Sequence, residues 1–171
     1  FLLLQVFREL WGQSFGAQTT ELMNNILILI SERGLTLKHL QSLLRDARQL
    51  RTHVDRSINP DVREYFQQRY LPLSDRKRYQ ISEPVLNKVT LLFADPRLSA
   101  MLGQAKSDVD FEEAIKNRRT ILVDLNKGQL QSNVSLLGSL LLFKFQQALF
   151  AQGIIPEALR ATYGLVIDEF A

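Results

Sequence analysis

The stretch that decides our fold prediction is Tyr163-Gly164-Leu165-Val166-Ile167, an apolar run that ends directly in Asp168-Glu169-Phe170. A comparable run, Thr120-Ile121-Leu122-Val123-Asp124-Leu125, lies earlier in the chain. Both runs are short and apolar on both faces, which is typical of buried parallel strands. The apolar segment between them, from about Ser132 to Phe150, predicts a crossover helix. The region therefore predicts a βαβ unit in a parallel α/β sheet.

Two carboxylates follow the second predicted strand. In open α/β sheets, ligands bind beyond the carboxyl ends of the strands. Asp168 is therefore placed to hold Mg²⁺, as the Walker B aspartate does in P-loop NTPases, and Glu169 to orient an attacking water. Asp124, at the end of the first run, is a candidate for a supporting polar role. The alternative is that these acids are solvated residues that end a strand.

The sequence lacks the phosphate-binding motif G-x-x-x-x-G-K-[S/T]. Lys127-Gly128 has the two residues in the reverse order and is interpreted as part of a turn. Without this loop, no nest of backbone N–H groups holds a triphosphate. We expect the chain on its own to bind ATP poorly and to be inactive as an ATPase.

Periodicity divides the chain into three regions. Residues 1–17 indicate a short apolar element, residues 18–106 a run of helices, and residues 107–171 the α/β segment. Several helix starts are marked by a capping residue, by proline in the first turn, or by both. These signals are Thr19 or Thr20, Thr36, Asn59-Pro60, Ser82 with Pro84, Asp95-Pro96, and Asp110 with Glu113.

Basic residues are concentrated between positions 45 and 78. This stretch holds nine Lys/Arg and five acids, a local balance of +4 in a chain whose net charge is +3. Such a stretch can attract phosphate backbones, and Arg45, Arg48 and Arg51 are the candidate DNA contacts. Because the acids are interspersed, a solvated helical face is the alternative.

Composition excludes several classes of site. The chain has no cysteine, which excludes disulfides and thiolate metal sites and suits the cytosol. His39 and His53 are isolated and are predicted to have surface or capping roles. The apolar segment 1–7 is too short to span a bilayer and lacks the features of a signal peptide, so no membrane span is predicted. The character of both ends indicates a truncated chain.

The order of these parts resembles one family. The stretches that carry the resemblance are residues 21–27, 35–44, 85–89, 95–98, 121–128, 136–140 and 165–170. Together they resemble the conjugative coupling ATPases of type IV secretion systems, the TraG/TraD-like members of the FtsK–HerA class of P-loop motors. The resemblance covers about residues 11 to 171 and lacks the Walker A loop and everything after the Walker B strand, including any arginine finger.

The resemblance implies a RecA-like nucleotide-binding domain with an all-helical domain inserted at residues 18–106. It also implies a cytoplasmic homo-hexamer that uses ATP and Mg²⁺ to move DNA, single-stranded or duplex, through a ring pore. Asp168 corresponds to the metal-site acid and Glu169 to the catalytic acid. Relaxosome or secretion-system proteins are the implied partners. An inner-membrane anchor, if the parent protein has one, lies outside this piece.

Two other functions fit the same sequence. The chain is alternatively a non-enzymatic helical module that recognises DNA, a relaxosome protein or a secreted substrate. The third hypothesis is a P-loop ATPase of a different class, such as a packaging or secretion ATPase. A Walker A motif upstream of Phe1 in the full reading frame would favour a motor, and its absence would favour the module.

Overall fold

The computed structural model describes residues 6, 16–104, 107, 109–126, 128 and 133–168. Of these residues, 71% are helical and none lies in a β-strand. The chain forms two compact units, which meet in sequence between residues 106 and 107.

The first unit is built from helices joined by short connections. Its α-helices are α1 (Ala17–Glu32), α2 (Leu37–Arg45), α3 (Ala47–Val54), α4 (Pro60–Glu64), α5 (Asp75–Ala94) and α6 (Pro96–Leu102). A π-helical turn, Tyr65–Tyr70, continues α4 and precedes α5.

Local capping chemistry sets most of the helix starts. Thr36, Asn59, Asp95 and Asp110 each occupy an N-cap, which confirms four of the predicted signals. At the start of α2, the Nδ1 atom of His39 lies 3.1 Å from the backbone N–H of Thr36 and accepts its hydrogen bond, so this histidine has the predicted capping role. Gly34 follows α1 at φ +62°, a conformation that glycine adopts without strain.

Two predicted helix starts are wrong. Gly16 is the N-cap of α1, one turn before the predicted Thr19 or Thr20. Helix α5 begins after Ser74, whose hydroxyl accepts from the backbone N–H of Lys77 at 3.4 Å, and runs through Ser82 and Pro84. Proline inside a helix removes one backbone hydrogen bond. Burial of Val85 and Leu86 directly after Pro84 outweighs that cost.

The core of the first unit lies where α1, α2 and α5 pack against one another. The side chains in this core have no solvent exposure: Leu22, Ile26 and Leu29 of α1, Leu40 and Leu43 of α2, and Val85 and Val89 of α5. Burying a side chain of this size contributes about 1.5–3 kcal/mol. Apolar packing of three helices therefore holds the first unit together.

The π-helical turn adds an aromatic cluster to this core. The ring of Phe66 packs edge-on against Tyr65 at 5.1 Å and against Tyr70 at 5.7 Å between centroids. The Arg69 guanidinium lies 5.6 Å from the centre of the Tyr65 ring and also pairs with the Glu21 carboxylate of α1. The wider turn allows all three aromatic rings to be buried.

The second unit has a smaller core. Its α-helices are α7 (Phe111–Lys116) and α8 (Val134–Ala151), and α8 is followed by 3₁₀ turns at Gln152–Ile154 and Glu157–Leu159. Ile115, Phe145 and Ala148 form the buried cluster. Tyr163 packs against Phe145 with ring centroids 5.6 Å apart, and its hydroxyl donates to the Arg119 carbonyl oxygen.

The predicted α/β fold, with a P-loop (RecA-like) parallel sheet, is wrong, because the described chain is all-helical. Residues 120–125 and 163–167 form neither helix nor strand. Leu122 is 92% exposed and Val166 is 93% exposed. A buried parallel strand needs neighbouring strands at its edges and helices over both faces. The apolar pattern was present, but the described residues do not supply that environment.

Helix α8 is the most apolar element. Together with the turn after it (Val134–Ile154), it is the one helix among the described residues that is long and apolar enough to cross a membrane. Its 18-residue window has a mean hydropathy of 1.4 and is 22% buried. One such helix is weak evidence, because core helices of soluble proteins, which are mostly buried, pass the same test. Lys144 near the middle would cost about 2.5–3.5 kcal/mol at the centre of a bilayer. These features give no clear signal of a membrane protein.

The first unit should be sensitive to truncation of its core. We expect Leu40→Ala to lower the free energy of unfolding by about 2–5 kcal/mol, because it leaves a cavity between α2 and α5. Leu91→Ala, on α5 at a side chain that is 67% exposed, is the matched control and should change it by less than about 0.5 kcal/mol. Urea unfolding followed by circular dichroism measures both. Equal effects would contradict this packing.

Candidate nucleic-acid interface

The predicted catalytic acids are not assembled into a site by the described residues. Asp168 is exposed and follows the irregular run 163–167, and Asp124 is also exposed. Glu169 lies outside the described residues. No group of three or more His, Asp or Glu side chains in the described chain could hold a metal ion. The described residues alone therefore do not form a Mg²⁺–ATP site.

The three predicted DNA-contact residues lie close together. Arg45 is the last residue of α2, and Arg48 and Arg51 lie three residues apart on α3. Residues at this spacing share one side of a helix. All three side chains are exposed.

Two clefts lie beside α3. The larger has a volume of about 780 Å³ and lies between the α2–α3 junction and the first turns of α5. Four arginines and two aspartates line it: Arg45, Arg48, Arg76, Arg78, Asp46 and Asp75. The smaller, of about 390 Å³, is lined by Arg51 and Asp55 and shares Arg48 and Arg78 with the larger. The fold thus brings Arg76, from α5, to the same cleft as Arg45 and Arg48.

The acids of both clefts already have partners. One carboxylate oxygen of Asp46 accepts from the backbone N–H groups of Arg48 at 2.9 Å and Gln49 at 3.1 Å. Asp75 pairs with Arg78. Asp55 accepts a hydrogen bond of 2.9 Å from the Gln67 side-chain amide. These contacts hold the acids in place.

Five arginines line the two clefts, and among the described residues only Arg78 of these has a carboxylate partner. The other four are Arg45, Arg48, Arg51 and Arg76. We call these four the arginine surface. The two clefts are lined by five arginines and three aspartates, a net charge of +2, so the local field is positive. Sequence reasoning counted Arg76 in the basic stretch but did not select it. Its spacing from Tyr79 and Glu83 could have shown that these three residues lie on one face of α5.

Tyr70 lines the inner side of the larger cleft, although its side chain is almost fully buried. Its side chain is 2% exposed, and its hydroxyl has no hydrogen-bond partner among the described residues. Ser82 lies close enough to influence it, but the Ser82 hydroxyl donates to the Tyr79 carbonyl oxygen at 3.3 Å. Burial raises the pKa of the Tyr70 phenol, and the nearby Ser82 and Arg78 oppose that rise. The hydroxyl is therefore neutral in the folded protein at physiological pH.

The raised phenol pKa gives a stability prediction. An unfolded tyrosine ionises near pH 10, and the folded Tyr70 has a higher pKa. Its contribution is therefore complete below about pH 10 and is lost as the pH rises toward the folded pKa. We expect Tyr70→Phe to be at least as stable as wild type at neutral pH, because a buried unpartnered hydroxyl is removed. Between about pH 9 and 11 its unfolding free energy should fall less steeply. Parallel pH profiles from urea unfolding would disprove this.

Comparison with known proteins adds no identification, because no family model, curated protein or solved structure matches the chain. The resemblance to coupling ATPases rests on the sequence stretches alone.

Proposed function

We propose that this chain binds DNA through the phosphate backbone, and that the arginine surface makes the contact. The observation that carries the proposal is the convergence of Arg45, Arg48, Arg51 and Arg76 on two clefts whose acids already have partners. Phosphate contacts by arginine supply most of the affinity of non-specific DNA binding. The planar guanidinium also matches the geometry of a phosphate better than a lysine ammonium does.

The solvated-face alternative depends on neutralisation by neighbouring acids. That neutralisation is partial at the arginine surface, because five arginines but only three aspartates line the clefts. Asp46 is directed at the N-terminus of α3, and Asp75 is directed at Arg78. Exposed charges that serve solubility alone need no concave arrangement, whereas these line the walls of clefts. The geometry therefore favours binding over simple solvation.

Charge reversal tests the proposal. We expect the triple variant Arg45→Glu, Arg48→Glu, Arg51→Glu to bind DNA far more weakly than wild type at low salt. The slope of log affinity against log salt should become shallower by about three, since each lost phosphate contact removes about one counterion. Fluorescence anisotropy with a labelled oligonucleotide measures both quantities.

The matched control reverses three cations in the second unit, Lys116, Arg118 and Lys144, which are also exposed. It changes the net charge by the same amount without touching the arginine surface. Circular dichroism checks that both variants keep their helices. Equal losses of affinity in the two variants would show a general charge effect and would return residues 45–78 to the solvated-face interpretation.

The second candidate is the wider role that the resemblance implies, an ATP-driven DNA translocase to which this chain contributes. Asp124 and Asp168 each occur in or directly after an apolar run with exposed side chains, as expected if other segments of a motor cover these runs. In this proposal the parent protein is a cytoplasmic hexamer, with relaxosome or secretion-system proteins as partners. The non-enzymatic module remains its rival, and both use the same DNA contact.

Substitution of the adjacent acids separates these two candidates. In the full-length protein, we expect Glu169→Gln to keep ATP binding and nearly abolish hydrolysis, because the amide cannot polarise water. Asp168→Asn should weaken Mg²⁺-dependent ATP binding, since a neutral amide is a poorer ligand for a hard cation. Glu157→Gln, at an exposed acid of the second unit, is the control. Wild-type turnover in both acid variants would show that the pair is only the polar end of an apolar run. Absence of turnover in the full-length wild-type protein would support the module, and turnover by the 171-residue chain alone would contradict the assigned roles.

A further inference from the structure

Tyr79 stands out among the residues of the larger cleft. Its side chain is 59% exposed, although the chain has only four tyrosines and two of them, Tyr65 and Tyr70, are buried in the core. Its hydroxyl lies 3.3 Å from the Glu83 carboxylate, one turn along α5, and donates to it. This bond limits the rotation of the ring. The cleft therefore contains an oriented aromatic ring with more than half of its surface free.

Arginines line the same cleft as Tyr79. Tyr79 and Arg76 lie three residues apart on α5, and Arg45 and Arg48 come to the same cleft from α2 and α3. Aromatic rings beside a positively charged groove are what proteins use to bind single-stranded nucleic acid. The bases stack on the rings and the backbone follows the positive charge. A core role for Tyr79 is ruled out by its exposure.

The two forms of DNA differ in whether a base is free to enter this cleft. A volume of about 780 Å³ lies in the range of sites that hold one small ligand. A nucleotide with a free base can enter such a space, whereas a duplex keeps its bases stacked and must flip one out at a cost. Phosphates of a duplex can still touch the exposed arginines, but its bases cannot reach Tyr79.

We propose that the larger cleft binds single-stranded DNA in preference to duplex, with one base stacked on Tyr79 and the adjoining phosphates held by Arg45, Arg48 and Arg76. This inference rests on the proposed DNA-binding function and specifies its substrate. Tyr79 supplies the discrimination between the two forms, and the arginines supply affinity that both forms share.

The test compares an oligothymidylate with a duplex of the same length, using fluorescence anisotropy and the full chain. We expect Tyr79→Ala to weaken binding of the single strand by about fivefold to a hundredfold, since each stacked base contributes that much. Duplex binding should change by less than about twofold, because duplex bases are not available for stacking. The matched control is Leu91→Ala, which removes an exposed apolar side chain from the same helix outside the cleft and should change neither.

A second variant isolates the ring. Tyr79→Phe keeps the aromatic face and loses only the hydroxyl bonded to Glu83, so it should retain single-strand affinity within about twofold. Equal losses for both forms of DNA in Tyr79→Ala would overturn the stacking role. If Tyr79→Ala has no effect but the arginine triple variant weakens both forms, the proposed DNA binding stands and this inference fails. If wild type binds neither form, both fail together.

Discussion

The junction between the π-helical turn and α5, and with it the shape of both clefts, depends on the guanidinium group of Arg78. It donates to the carbonyl oxygens of Leu71 at 2.8 Å and Leu73 at 2.6 Å, and it pairs with the Asp75 carboxylate. Carbonyl groups at the end of a helix lack partners within that helix, and arginine has enough donors in one plane to satisfy several acceptors. Arg78 thereby joins the end of the π-helical turn to the start of α5. Because its side chain lines both clefts, it also fixes their shared wall.

Most helix starts could be predicted because capping is a local interaction. The side chains of Asn59 and Asp95 accept hydrogen bonds from backbone N–H groups two residues further along the chain. Neighbouring residues are therefore sufficient to predict these helix starts. The prediction at Pro84 was wrong because a proline in the sequence does not show whether tertiary packing will stabilise a helix that continues past it. The strands at 120–125 and 163–167 failed for a related reason. An apolar run fixes a preference for burial, but strand pairing depends on residues distant in the sequence.

The candidate site was accessible to sequence reasoning only in part. Arg45, Arg48 and Arg51 are close in the chain, so the charge pattern alone drew attention to them. Arg76 and Tyr79 reach the same cleft because α5 folds back against α2, and no local pattern predicts that approach. The charge balance also gave no indication of which acids were engaged, since that depends on caps and tertiary ion pairs.

Hydrogen–deuterium exchange can distinguish the two apolar runs of the second unit from its helices. The backbone N–H groups of residues 121–125 and 162–167 have no backbone acceptor among the described residues, whereas the amides of α1 and α5 lie in continuous helices around a closed core. Amide protons exchange with solvent deuterons at a rate set by how often their hydrogen bonds open. Deuterium uptake should therefore be fast across residues 121–125, slow across α8 and fast again across residues 162–167, so that slow exchange identifies the packed parts of the second unit.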